Sequence, residues 1–151
     1  EFFESGEYHP KKAIATISNA MDVGNPSNFI RILELFGHDR DKLRKLITPF
    51  SISDDETREA IKEIYRDRNY LMDPHGAVAY IALQRYLRKN ESLKGIFLET
   101  AHPVKFYDVV EPVTGVAIEL PDSVKALTDR EQQRTKMGVE YDHFKEYLIG
   151  S

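Results

Sequence analysis

Residues 72–89 read MDPHGAVAYIALQRYLRK. Asp73 is placed to cap a helix, because its carboxylate can accept the free N–H groups of the first turn. Pro74 suits the first helical position, where its missing N–H costs nothing. From Ala77 to Leu83 every side chain is apolar except for the Tyr80 hydroxyl. A helix apolar all round is expected to be buried. From Gln84 onward the pattern turns amphipathic, so this half is expected to reach the surface.

Downstream, GIFLETAHPVKF (residues 95–106) predicts a short buried strand over Ile96–Glu99, a turn at Thr100–His102 and a new helix from Pro103. Upstream, Ser53 and Glu56 form a capping-box pattern ahead of a helix that buries Ala60, Ile61, Ile64 and Tyr65. Asn25-Pro26 repeats the cap-then-proline signal, so a helix is expected to open there. Phe29, Ile32, Leu33 and Phe36 then fall on one face expected to be buried, and Gly37 ends the helix. A short second helix follows, with Leu43, Leu46 and Ile47 expected inward. Residues 1–25 read as irregular, with a short strand around Ala13 to Ile17. Near the end, ELPDSVKAL and EYDHFKEYLIG each predict a short helix, joined by the polar linker DREQQRTKMG. Helices alternating with a buried strand give an α/β class, helix-rich and with few strands. The strands are too few for a complete doubly wound sheet. That shortage, and an opening EFFESGEYHP without an initiator methionine, suggest a piece of a larger protein. Its expected parts are a loop segment (1–25), an α/β core (26–110) and a helical tail (111–151).

The bulk numbers narrow the function. The chain has 151 residues, enough for one domain with a core. Its net charge of −4, with basic residues scattered among acids, argues against a nucleic-acid surface. Cysteine is absent, so disulfides and cysteine-based zinc sites are excluded. No apolar run approaches the ~18 residues of a membrane span. The composition is that of a folded cytoplasmic protein.

Three loops place small polar residues at a helix start, where free N–H groups favour anions: Gly24–Asn28, Asp73–Gly76 and Thr100–Lys105. Simple capping competes with ligand binding at each of them. The first is unusually rich, with Ser18, Asn19, Asp22, Asn25, Ser27 and Asn28 within one short segment, where a cap needs one. The histidines (His9, His38, His75, His102, His143) lack metal-binding spacing, so no metal is expected. His75 and His102 sit in candidate loops and read equally as imidazoles bonded to backbone. Lys105 falls about one turn after Thr100, with nothing around it to suggest the desolvation a nucleophilic lysine needs. No Gly-rich phosphate loop and no nucleophile–base pair occurs.

Taken together, ATISNAMDVGNPSNF, DPHGAVAYIAL and LETAHPVKF resemble the C-terminal part of the threonine synthase family. These are pyridoxal-phosphate enzymes of the tryptophan-synthase-β-like group, fold type II. The departures are small: PVKF stands where PAKF is usual, and Gly76 where some relatives carry alanine. The resemblance implies conversion of O-phospho-L-homoserine and water to L-threonine and phosphate. It implies pyridoxal 5'-phosphate as cofactor, with the Schiff-base lysine and the Gly-rich phosphate loop upstream, in a missing N-terminal part. Lys105 is then not the covalent lysine, and the chain alone is expected to be inactive. The resemblance further implies that Thr100 bonds the pyridine nitrogen, that Asp73 and His75 lie at the cofactor's edge, and that Asn19, Asp22, Asn25 and Ser27 face the substrate. The competing reading is a non-catalytic α/β module that binds a small anion or a partner protein.

Overall fold

The computed structural model describes residues 1–150 apart from Ala20, Asp22, Asp129 and Gln132. The chain forms two units, Glu1–Glu119 and Leu120–Ser151.

The first unit is organised by three helices, α4 (Asp54–Arg68), α5 (Pro74–Leu87) and α6 (Tyr107–Thr114). The capping box at the start of α4 forms as the sequence predicts. Ser53 Oγ accepts from the Glu56 N–H at 3.3 Å, and the Glu56 carboxylate accepts from the Ser53 N–H at 2.9 Å. Asn69, left-handed at φ 52°, stops α4. Four residues later the chain reaches Asp73 and starts α5. Ala60 and Ile61 of α4, Met72, Ala77 of α5, and Phe106 and Val110 around the start of α6 make the buried core. Side chains such as Ile61, Met72 and Val110 are fully enclosed, each contributing about 1.5–3 kcal/mol by leaving water. Arg85 then ties the far end of α5 to the start of α4, through the Glu56 carboxylate and the Ser51 carbonyl.

The expected all-round burial of α5 is corrected. Pro74, Gly76 and Ala77 are buried, whereas Val78 to Leu83 are only half-buried. Two neighbouring helices cannot cover a helix of 14 residues on every side.

Both expected strands are also corrected: no strand occurs among the described residues. Residues 95–100 form no regular element and Ala101 is a bend, and the backbone groups of 95–101 make no hydrogen bond among the described residues. Strand alternation is nevertheless present. Phe97 turns inward, its ring edge-on to Tyr80 at 5.6 Å, and Glu99 turns inward beside it. Ile96 and Leu98 point out, 89% and 73% exposed. A ladder needs a neighbour, and the described residues offer none.

Nearer the N-terminus, α1 (Phe2–Ser5), α2 (Phe29–Leu35) and α3 (Arg40–Leu46) form a small satellite. The Phe29 ring packs edge-on to Phe2 at 5.0 Å and against Tyr8 at 4.3 Å. Gly37 (φ 59°) and His38 (φ 56°) turn the chain out of α2, with the His38 N–H bonded to the Leu33 carbonyl at 2.8 Å. Asp39 caps α3 through the N–H groups of Asp41 and Lys42. Two expectations fail here. Helix α2 starts at Phe29, after a turn in which the Phe29 N–H meets the Pro26 carbonyl. Of the expected inward trio only Leu43 is buried, while Leu46 is 78% exposed and Ile47 caps the end of α3 in an extended conformation.

In the second unit, α7 (Asp122–Thr128) and α8 (Tyr141–Ile149) form where the sequence predicts them. Among the described residues no helix is long and apolar enough to cross a membrane.

Candidate functional site

The second and third candidate loops meet. Asp73, fully buried, caps α5 by accepting from the His75 N–H at 2.8 Å, and the same oxygen contacts His75 Nδ1 at 2.9 Å. Its second oxygen, Oδ2, is buried and has no hydrogen-bond partner among the described residues. The Asp73 N–H in turn donates to Glu99 Oε1 at 2.7 Å, and the Tyr70 hydroxyl donates to Glu99 Oε2. This bond to the Glu99 carboxylate, with burial and the negative charge of Glu99 adding, pushes the Tyr70 phenol above its usual pKa. The His75 ring lies edge-on to Phe106 at 5.0 Å.

Glycine at position 76 is a matter of space. A Cβ there would stand 3.1 Å from Glu99 Cγ, 3.2 Å from Glu99 Cδ and 3.2 Å from Met72 Cγ. Gly76 therefore lets the Glu99 carboxylate lie flat across the first turn of α5.

Residues 15–19, upstream of the first loop, meet the third loop on the other side of Phe106. Thr16, Ile17, Asn19, Lys105 and Phe106 line an open cavity of about 670 Å³, with Asp54 and Asp108 on its wall. The Ile17 N–H bonds Asp54 Oδ1 at 3.3 Å, which fixes residues 15–19 to the head of α4. Phe106 thus separates the two halves, with His75 against its ring and the cavity beside it.

The candidate residues divide accordingly. Asp73 and His75 come together. Asn19 lines the cavity with Lys105, which is exposed and not desolvated. Thr100 is exposed, one residue beyond Glu99. Asn25 and Ser27 are exposed and stand apart, with Asn25 Oδ1 accepting from the Tyr8 hydroxyl at 3.4 Å. Asp22 lies outside the described residues. No side chain of the first loop caps α2: Asn28 occupies the cap position without a side-chain bond. His102 resolves toward capping, its Nδ1 accepting from the Val104 N–H at 3.2 Å. Among the described residues no His, Asp and Glu side chains group to hold a metal ion. Sequence reasoning missed Glu99, Tyr70 and Phe106. The signal for Glu99 was available: an acid at the inward register of an apolar extended segment needs donors to face.

Comparison with known proteins bears on what this arrangement serves. The family model for threonine synthase, C-terminal, matches residues 76–148. Threonine synthase from Buchnera aphidicola (subspecies Schizaphis graminum) is 40% identical over 148 residues, 98% of this chain. The enzyme from Haemophilus influenzae is 37% identical over 150 residues. The chain belongs to the threonine synthase family. It spans about a third (34%) of the length of these relatives. The crystal structure of threonine synthase from Escherichia coli superimposes with a TM-score of 0.81 at 33% identity, covering 99% of this chain and 34% of that one. A pyridoxal-phosphate-bound threonine synthase from Brucella melitensis superimposes at 0.64 with 29% identity, covering 99% of this chain and 37% of that one. The helix-rich architecture, without strands among its described residues, is therefore that of a C-terminal portion of threonine synthase.

Proposed function

We propose that this chain is the C-terminal third of a cytoplasmic, pyridoxal-phosphate-dependent threonine synthase, which converts O-phospho-L-homoserine and water to L-threonine and phosphate. The remainder of the enzyme supplies the Schiff-base lysine and the loop that holds the cofactor phosphate. In that whole, residues 96–99 are a strand of an α/β sheet, with Ile96 and Leu98 covered by other parts of the enzyme.

The observation that carries this reading is the pair Glu99–Thr100. The Glu99 carboxylate is turned inward and engaged by two donors. What stands next to it on the exposed side is the uncharged hydroxyl of Thr100. That donor suits an unprotonated pyridine nitrogen, so the residues present fit the cofactor. When bound, the cofactor supplies an electron sink for proton loss and phosphate elimination. Thr100 donates to its ring nitrogen and orients it without fixing a proton there. A carboxylate at this position would hold the nitrogen protonated and strengthen the sink. Asp73 and His75 fix the turn at the cofactor's edge. Asn19, Asp22, Asn25 and Ser27 lie on the substrate side, where the neutral donors of the asparagines and the serine suit a phosphate.

In the full-length enzyme, Thr100→Ser should stay active. Thr100→Ala should lose about 0.5–1.5 kcal/mol of cofactor affinity, the worth of a neutral hydrogen bond. Thr100→Asp should alter the cofactor's absorbance spectrum and the ratio of threonine to side products. If the alanine and aspartate variants both match the parent in affinity, spectrum and products, the assignment is wrong. The isolated chain, titrated with pyridoxal phosphate, should show no saturable visible band and no turnover.

A further inference from the structure

We infer that Glu99 is the positioning residue for Thr100: its carboxylate fixes residues 95–101 to the first turn of α5, and this sets where the neighbouring hydroxyl stands. The inference rests on the reading of Thr100 given above and extends it to a residue that contacts neither cofactor nor substrate.

Residues 95–101 have no backbone hydrogen bond of their own among the described residues. In the full-length enzyme the proposed sheet would support this backbone, and side chains fix its position along the strand axis. Three of them face inward here, Phe97, Glu99 and Ala101. Phe97 packs on Tyr80, an apolar contact that tolerates sliding. Glu99 does not tolerate it, because each carboxylate oxygen is taken by a different, separately anchored donor. Oε1 accepts from the Asp73 N–H at 2.7 Å and Oε2 from the Tyr70 hydroxyl. The Asp73 donor is rigid, belonging to a fully buried capping residue. Gly76 leaves the room the carboxylate needs, with Glu99 Cγ and Cδ where a methyl group would otherwise intrude. Tyr70, Asp73 and Gly76 converge on one carboxylate, and the capping of α5 does not require Glu99, since Asp73 completes it through His75. Holding the following residue is what the arrangement achieves. Thr100 shares a peptide bond with Glu99, so a shift of the carboxylate is a shift of the hydroxyl.

The test uses the full-length enzyme with Glu99→Ala, Glu99→Gln, Tyr70→Phe, Thr100→Ala and the Glu99→Ala/Thr100→Ala double variant. Two quantities are read: the pyridoxal-phosphate dissociation constant, and amide hydrogen exchange of residues 95–101 in the cofactor-free protein. Glu99→Ala should weaken cofactor binding and speed exchange, each about tenfold, the scale of losing hydrogen bonds to a charged group. Glu99→Gln keeps an oxygen for the Asp73 N–H and should recover most of both. Tyr70→Phe removes one of the two bonds from an accessible side chain and should move both quantities part-way. Because Glu99 acts through Thr100, Glu99→Ala should weaken binding by less than about twofold more once Thr100 is already alanine. An Ile61→Val variant, less stable through the core, should leave the dissociation constant unchanged. Unchanged exchange and affinity in Glu99→Ala overturn the inference. So does an effect on affinity that adds in full to that of Thr100→Ala, since Glu99 would then act elsewhere. If Thr100→Ala itself binds cofactor like the parent, the reading of Thr100 has failed, and the exchange data alone decide whether Glu99 holds the segment.

Discussion

Two turns begin from nearly the same letters and end differently. Asp73-Pro74 and Asn25-Pro26 each set a short polar side chain before a proline. At the first, the carboxylate is buried, caps α5, and proline opens the helix. At the second, the side chain is exposed, takes a bond from Tyr8, and the chain turns again before α2 begins at Phe29. The residues behind the proline decide. After Pro74, Ala77 and Tyr80 meet the core at once, so helix is rewarded from its first turn. After Pro26 come Ser27 and Asn28, whose side chains favour turns over helix, and a seven-residue helix with no buried residue. A capping motif is thus completed by the packing behind it. The structure consumes the polar groups at 73 and leaves those at 25–28 for other use.

Asp73→Ala should separate the two turns most widely. The loss is expected at about 2 kcal/mol, the upper end for a helix cap, because the side chain is buried and serves two contacts. Urea unfolding would read it, and a loss no larger than that of Asn25→Ala would erase the distinction.

Gly76→Ala tests how tightly the buried turn is packed. Glu99 is held at both oxygens and cannot yield easily, so the substitution should cost about 1 kcal/mol, the scale of overpacking. In a Glu99→Ala background the same change should instead stabilise, by up to about 1 kcal/mol, as alanine normally does over glycine in a helix. Equal effects in both backgrounds would mean the two residues do not compete for space.

For the exposed turn, Asn25→Ala should lower stability by less than about 0.5 kcal/mol, the limit for surface changes away from special features. In the full-length enzyme its effect on turnover should be the larger of the two, if the loop's polar groups serve the substrate. A melting temperature lowered by a full cap's worth with turnover intact would return Asn25 to a structural role.

The smallest effect concerns pH. The Tyr70 phenol is raised by its bond to Glu99, with burial and charge adding. Its folded pKa thus lies above the unfolded value, so this contribution is intact below the ordinary tyrosine pKa of about 10 and is lost as pH rises through the folded value. The parent should lose stability above that point more steeply than Tyr70→Phe does. Parallel curves would show that the bond carries no pH dependence.

Much of this was legible in the letters. Ser53 with Glu56 and Asp73 with Pro74 are local signals whose physics is complete within one turn, and both formed; the start at Pro103 formed as a 3-10 turn, Pro103–Phe106, with the α-helix following from Tyr107. The helical reading of both tail segments held for the same reason. Failures came where a residue's state depends on something remote. Ile96–Glu99 has the alternation of a strand, but pairing requires a second strand, and alternation alone cannot supply one. Leu46 and the middle of α5 are apolar and expected inside, yet too few elements surround them to enclose them. In the loop before α5, spacing gave Asp73 as the cap, which forms; the cofactor-edge role of Asp73 and His75 came only from the resemblance. Glu99 was not found, because its partners Tyr70 and the Asp73 amide lie 29 and 26 residues away.

The unpaired backbone of residues 95–101 also has a kinetic side. The core of α4, α5 and α6 is built from helices close in sequence, a topology that closes fast. Sheet pairing with sequence-distant strands is slow by comparison, since a large loop must close before any contact repays it. Between the two events the segment stands extended, with Ile96 and Leu98 outward and every ladder group open. That is a template for the same segment of another copy. Lysine at position 96 or 98 would guard it against such pairing but would also block the sheet proposed for the whole enzyme. On that proposal, the interval has to be kept short by the speed with which the rest of the enzyme arrives.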